Sequence, residues 1–324
     1  MSDIVLSPKT PISRELLLID GVGRSGKMLM AKLVSNFKRV DYFQVLLAID
    51  HVPVLSHLGV MSEDNAAAYL RLAVDGCVYD RACGRGMNLR PSDYSCVAKA
   101  TDYPDLIRRT VDPEGPAAIA KFNTTGRIPA FLSHHIIPHA RLFFKMEPNT
   151  RIIEVSRHPM DVASSWYHRG WAERMDSDPM ASVPRVQTPH GDVPWWARDY
   201  ADQYYAMSPV DRLMKTVIVL TRLCNEGRAA LTAEQRARTH LICYEHLFDD
   251  PEGHVNRAAA FIGTEPYANM KAVLAREGLP ATLDLNDRRA KRAQLAAMVS
   301  PSLMEELAVL CADYERSWGL EPLS

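Results

Sequence analysis

Gly21, Gly26 and Lys27 stand in the spacing G-x-x-x-x-G-K, and Arg24 places a second cation inside it. Glycines at such positions let the backbone turn sharply and approach a bound group closely. Two cationic side chains beside the turn suit an anion, phosphate or sulfate. The spacing is that of a Walker A loop, except that Met28 stands where Ser or Thr would ligate Mg²⁺. A thioether is a poor ligand for so hard a cation, so the loop predicts an anion site without that metal ligand. Arg157 and Ser165 lie eight residues apart in SRHPMDVASSW (156–166). A planar guanidinium and a hydroxyl two helical turns on could grip a second phosphate, or Arg157 could simply pair with Asp161. Tyr244, in ICYEHLFDDPE (242–252), offers a ring to a planar base or fills a core. His134 and His135 stand in tandem as candidate general bases near neutral pH.

These groups need strand ends and helix starts to hold them. Leu16 to Ile19 is an unbroken apolar run, expected of a parallel strand covered on both faces. Met28, Leu29, Leu33, Val34 and Phe37 recur near helical spacing, which starts a helix at about Gly26. Its first N–H groups then point into the glycine turn, where the helix dipole favours an anion. The run Tyr42 to Ile49, ending at Asp50, predicts a second strand. Residues 52–80 read as helix with Leu55, Leu58, Leu70, Leu72 and Val74 inward. GRGMNLRPSDYS (84–95) is a polar loop, solvated or forming an acceptor-binding lid segment. Pro129 to Ser133 and Arg151 to Ser156 read as strands, 138–146 and Asp161 to Arg169 as helices. Residues 172–195 read as a long loop, 196–206 and 209–231 as helices. THLICYE (239–245) is a last strand, with helices at 251–262 and 301–316 around a basic cluster of Arg288, Arg289, Lys291 and Arg292. Strands alternating with helices predict an α/β fold with a mainly parallel sheet and ligands at the carboxyl ends of its strands.

A chain of 324 residues with 47% hydrophobic content has ample core for one large α/β domain, taken as 1–324. The net charge of −1 argues against a dedicated nucleic-acid partner. Six cysteines without C-x-x-C or metal spacing read as free thiols in a reducing compartment. MSDIVLSPKTPIS has no signal core and no apolar run is long enough to span a bilayer, so a soluble cytoplasmic protein is expected. Trp166, Trp171, Trp195 and Trp196 could stack on an acceptor or pack a core.

With these stretches in view, the chain resembles the sulfotransferase family, which transfers sulfuryl groups from 3′-phosphoadenosine 5′-phosphosulfate (PAPS). GVGRSGKML resembles the family's G-x-x-[KR]-S-G-T-T-x-L loop in its Arg form, found in carbohydrate- and tyrosylprotein-directed branches. VSRHPMDVASSW is similar to the 3′-phosphate motif, and LICYEHLFDDPEGHVNRAAAFIG to the later Y-E-D-L…D-P-E…F-L-G segment. The resemblance implies a P-loop NTPase-like three-layer fold with helical insertions, 52–128 serving acceptor recognition. It implies that Gly23, Arg24, Ser25, Gly26, Lys27 and Met28 hold the 5′-phosphosulfate. Arg157 and Ser165 would hold the 3′-phosphate, Tyr244 would contact adenine, and Arg288 and Arg289 would lend further charge. Lys27 and Met28 replace the family's two threonines.

The implied function is transfer of a sulfuryl group from PAPS, without a metal, to a hydroxyl of a glycan, lipid or small molecule. Arg24 and Lys27 would meet the developing charge. His135 is favoured over Asp50 as the base that deprotonates the acceptor. The alternative is an ATP-dependent P-loop small-molecule kinase with Lys27 as Walker lysine and Asp50 as Walker B carboxylate. Nothing in the sequence indicates an oligomeric state.

Overall fold

Every residue of β1 (Leu16–Asp20) is buried, because parallel strands flank it and helices cover both of its faces. In the computed structural model, which describes residues 4–179 and 181–323, β1 pairs with β3 (Ala130–Leu132) and β4 (Thr150–Ser156). The first three residues of the N-terminal stretch read above lie outside the described residues. β2 (Gln44–Val45) extends the sheet beyond β3, and β7 (Thr239–Cys243) extends it beyond β4, in the order β2-β3-β1-β4-β7 with every pairing parallel. Side chains alternate as the pleat requires. Leu17 and Ile19 pack with α1 (Lys27–Val34) and the helix Pro251–Ile262, while Leu16 and Leu18 pack with α2 (Leu47–His57) and α3 (Glu63–Ala82). The expected three-layer α/β architecture is therefore present, and a third apolar cluster joins the helices Pro159–His168, Pro209–Ala230 and Pro301–Trp318.

Parallel pairing has one consequence for chemistry. β1, β3, β4 and β7 all end at the same edge, so the glycine turn, the histidine pair, Arg157 and Tyr244 emerge side by side.

Three expectations are corrected. The strand expected over Tyr42 to Ile49 is only two residues long, and Asp50 sits in the first turn of α2 instead. The run VLLAID is apolar enough for either state, and a carboxylate in a first helical turn faces the favourable end of the dipole. The helix expected over 52–80 is two helices, broken at Gly59 with φ +74° and restarted by Ser62, whose side chain caps Asn65 N–H. Leu70 and Val74 are core as expected, whereas Leu72 is 48% exposed. The loop expected over 172–195 contains an antiparallel hairpin, β5 (Arg185–Thr188) with β6 (Gly191–Pro194).

Residues 52–128 lie between β2 and β3 in the chain. They are fastened to the rest of the chain by a buried ion pair, Arg109 to Asp41 at 2.9 Å, and braced within by a partly buried one, Arg127 to Asp102 at 2.6 Å. Among the described residues, no helix is long and apolar enough to cross a membrane.

Candidate active site

The turn between β1 and α1 is shaped by three glycines, none of which another residue could replace without rearrangement, and two of which also have positive φ. Gly21 has φ +147°, and a Cβ there would stand 2.3 Å from the Val155 carbonyl oxygen. Gly26 has φ +97°, and its Cβ would stand 2.1 Å from the Tyr244 ring. Gly23 accepts a hydrogen bond from Trp166 Nε1 at 2.7 Å, so one indole braces the loop from outside. Arg24 itself is held at φ +70°, a conformation that costs energy for a residue with a side chain and is concentrated at functional sites. α1 starts at Lys27, with Gly26 as its N-cap, no side-chain cap and no acidic residue in its first turn, leaving N–H groups for another acceptor.

The two stretches proposed to grip anions touch each other. Arg24 Nε donates to Ser165 Oγ at 3.0 Å, and Arg157 Nη1 donates to the Arg24 carbonyl at 3.2 Å. The Arg157 guanidinium lies 4.5 Å from the centre of the Tyr244 ring, which itself covers Gly26. Tyr244 thus packs half-buried against the core and at the same time forms a wall shared by the loop and Arg157. Among the described residues neither Arg24 nor Arg157 has an ion-pair partner. Arg157 Nε and Ser25 Oγ are buried with no hydrogen bond. Burial, then the neighbouring charges of Arg169 and Arg157, hold the Arg24 guanidinium below its ordinary pKa. A cluster of cations with unmatched donors is an anion site by construction.

Lys27 plays a different part from Arg24. Its buried ammonium curls back to donate to the Gly21 carbonyl at 2.6 Å. Burial pushes its pKa down to about 8, although Asp20 and Asp50 pull it upward. Met28 is half-buried against the core formed with α1, so only its backbone faces the turn.

The basic cluster divides. Arg288 is buried and donates to Asp161 Oδ2 from Nε at 3.0 Å and from Nη2 at 2.8 Å, with Glu245 as a further partner. It is committed to these carboxylates, where the resemblance implied a contact with the nucleotide. Arg289 is exposed and bonds Asn286, so it also stands off. Lys291 is the cation that reaches a cavity of about 430 Å³ lined by Arg157, Ser165, His168 and Gln294. Asp161 thereby belongs to Arg288 and Lys291, and not to Arg157. A second cavity of about 450 Å³ lies behind the loop, against Val22, Ser25, Glu154 and Arg228.

At the end of β3, His134 and His135 turn out to differ. Asp50 accepts from the His134 backbone N–H at 2.8 Å with Oδ1 and holds its Nδ1 at 2.9 Å with Oδ2. Burial would raise the Asp50 pKa, but the His134 bonds and the Lys27 charge outweigh it and keep the carboxylate ionised below its ordinary range. His135 has φ +44°, donates its backbone N–H to the Gly21 carbonyl at 3.2 Å, and packs edge-on against Trp196. Burial and the Lys27 charge push the His135 pKa well below its ordinary value. His51, next to Asp50 on α2, reaches the Ser182 carbonyl with Nε2 at 2.7 Å. Trp195 and Trp196 are buried core residues that wall this side.

Sequence reasoning placed the glycine turn, Arg157, Ser165 and Tyr244 together, and the fold does so. It missed Arg169 and the particular role of Lys291. Arg169 follows immediately on the helix Pro159–His168 that begins just after Arg157, a position that could have flagged it.

A model of the sulfotransferase domain matches residues 18–275 of the chain. Among curated proteins, none matches the sequence significantly. Similar solved structures include the sulfotransferase domain of the Synechococcus PCC 7002 olefin synthase, at 14% identity and TM-score 0.43, covering 94% of this chain and 86% of that one. Sulfotransferase STF9 from Mycobacterium avium is 13% identical with TM-score 0.43, covering 97% of this chain and 79% of that one. A sulfotransferase from Alicyclobacillus acidocaldarius is 13% identical with TM-score 0.41, covering 95% of this chain and 97% of that one.

Proposed function

The chain belongs to the sulfotransferase family, and on that premise we propose that it moves a sulfuryl group from PAPS to a hydroxyl of a glycan, lipid or small molecule. The observation that carries this reading is the contact between Arg24, Ser165 and Arg157. A nucleotide with two separated anionic groups would be clasped at both ends by groups that already meet. Buried donors without partners, Arg157 Nε and Ser25 Oγ, fit such a ligand. The turn from Gly23 to Met28 would hold the 5′-phosphosulfate, with Arg157, Ser165 and Lys291 at the 3′-phosphate and Tyr244 beside the base.

The acceptor hydroxyl would attack sulfur in line while its proton passes to the group formed by His134, His135 and Asp50. Charge growing on the sulfuryl and phosphate oxygens would meet Arg24 and the N-terminus of α1, with Lys27 stiffening the turn from beneath. Donors already in place are worth more than donors that must reorganise. Residues 52–128 are proposed as the acceptor-recognising part, since α2, which leads into them, delivers Asp50 to the histidines.

The kinase alternative is disfavoured by topology. Of the two strands beside β1, β3 runs into Ser133 and His134 and β4 into Ser156 and Arg157, so neither ends in a carboxylate of the Walker B kind. A thermal-shift comparison tests the choice. Adenosine 3′,5′-bisphosphate without metal should stabilise the protein, and ATP with Mg²⁺ should not. The reverse pattern contradicts the proposal.

A further inference from the structure

We propose that the cavity behind the anion loop is a second binding site, which takes a small amphipathic amine: an ammonium head at Glu154 and a short apolar body on Leu241. The inference does not depend on the sulfuryl-transfer reading, because it concerns the other face of β4 and β7.

The pleat builds the floor. Ile153, Val155 and Ile242 pack with α1 and its neighbours, so Glu154 and Leu241, which alternate with them, turn to the opposite face and stand paired across the two strands. The helices Pro209–Ala230 and Pro301–Trp318 run over that face and leave about 450 Å³ between them and the sheet. Thr221, Cys224 and Arg228 line it from the first helix, Leu310 and Trp318 from the second. That volume lies in the range of small-molecule pockets.

Two observations point to a ligand. Leu241 is 40% exposed, although Ile153, Val155 and Ile242 beside it are fully buried. The chain thus leaves apolar surface uncovered on the floor of a cavity that its own helices roof. Glu154 is 2% exposed, and Arg228 Nη1 donates to its Oε1 at 2.7 Å, while Oε2 is buried with no hydrogen bond among the described residues. A buried acceptor without a donor is costly, and an entering N–H would satisfy it.

The charges nearby select the kind of donor. The groups facing Glu154 are Arg228 and Cys224 from the helix Pro209–Ala230 and Asp20 from β1, with Asp313 and Tyr314 across the cavity on the helix Pro301–Trp318. Arg157 stands at the loop end and donates to the Arg24 carbonyl. Arg228 is taken up by Glu154 and Asn225. A cation therefore meets two carboxylates around the free oxygen, and an anion would be repelled by them. Burial raises the Glu154 pKa to about 7, so an ammonium and a proton compete for the same carboxylate. Below that pH the carboxyl is protonated and the amine must displace the proton; above it the carboxylate is ready.

The test titrates the whole protein with 2-phenylethylamine at millimolar concentration by isothermal calorimetry, with 2-phenylethanol as the neutral isostere. The amine should bind at one site, and the alcohol about tenfold more weakly, the scale of one charge-assisted hydrogen bond. Because the amine stays protonated throughout, its affinity should rise about tenfold from pH 6 to pH 8. Glu154→Gln should remove both the preference for the amine and the rise with pH. Leu241→Lys, a change at an exposed floor position, should abolish binding by placing a cation where the amine lies, and it keeps the test decisive if Glu154→Gln fails to fold. Saturating adenosine 3′,5′-bisphosphate should not displace the amine. No binding by the wild type, equal binding of amine and alcohol, unchanged binding in Leu241→Lys, or full displacement by the nucleotide overturns the proposal.

Discussion

Arg157 and Arg288 lie on either side of Asp161, yet the molecule treats the two guanidinium groups in opposite ways. Arg288 is buried and faces two carboxylates, Asp161 and Glu245. Arg157 faces a backbone carbonyl and the ring of Tyr244, and its Nε has no hydrogen-bond partner among the described residues. A guanidinium matched by carboxylates holds elements together, here the helix Leu285–Ala296 to the helix Pro159–His168 and to the residues after β7. One left unmatched beside Arg24 and Arg169 keeps its charge for a ligand. Availability therefore marks a binding residue better than charge does.

The largest effect that would break this contrast concerns the unmatched side. Arg157→Ala or Arg24→Ala should cut sulfuryl transfer by about 10²-fold to 10³-fold or more, the scale for losing one preorganised donor. Circular dichroism and the unfolding midpoint should stay near wild type. Full turnover in either variant would remove the anion site from this end of the sheet.

Arg288→Ala should act on stability. Removing one partner of a buried pair costs about 3–5 kcal/mol, read as a lowered midpoint in urea. If Arg288→Ala instead abolished nucleotide binding in a protein of unchanged stability, the division between the two arginines would be wrong.

Glu154 sharpens the comparison from the acidic side. One of its oxygens accepts from Arg228 at 2.7 Å, and the other is buried without a partner. Burial raises its pKa from 4.5 to about 7. The folded protein therefore holds a proton there that the unfolded chain releases, so stability falls as pH rises through that window. The loss is on the order of 3 kcal/mol. Glu154→Gln should flatten this slope in chemical denaturation between those pH limits, and an unchanged slope would assign it to other groups.

Arg289→Ala is the smallest effect and the control. The residue is exposed, with Asn286 and the distant Glu321 as contacts. Stability should move by no more than about 0.5 kcal/mol, and the thermal shift with adenosine 3′,5′-bisphosphate should match wild type.

Much of this was legible in the chain because local pattern and chemistry coincide at the first strand and loop. Leu16 to Ile19 can only be buried, and Gly21 and Gly26 adopt conformations that demand glycine. Arg157 and Ser165 follow a strand whose pairing with β1 is dictated by the same buried pattern. Elsewhere the sequence was ambiguous for physical reasons. A short apolar run before Asp50 suits strand or helix alike, and tertiary packing decided for helix. Which cation of the 288–292 cluster is free depends on where Asp161 and Glu245 fall in space, and no spacing along the chain reveals that. The unlike surroundings of two adjacent histidines depend likewise on a carboxylate more than eighty residues away.

Asp50 and His51 are consecutive, yet one grips a strand-end ring and the other the carbonyl of Ser182, far along the chain. One peptide unit thus links the carboxylate that holds His134 to the stretch leading into the β5–β6 hairpin. The placement of Ser182 therefore bears on the residue beside that carboxylate, so the stretch before the hairpin helps to set where Asp50 stands without touching it.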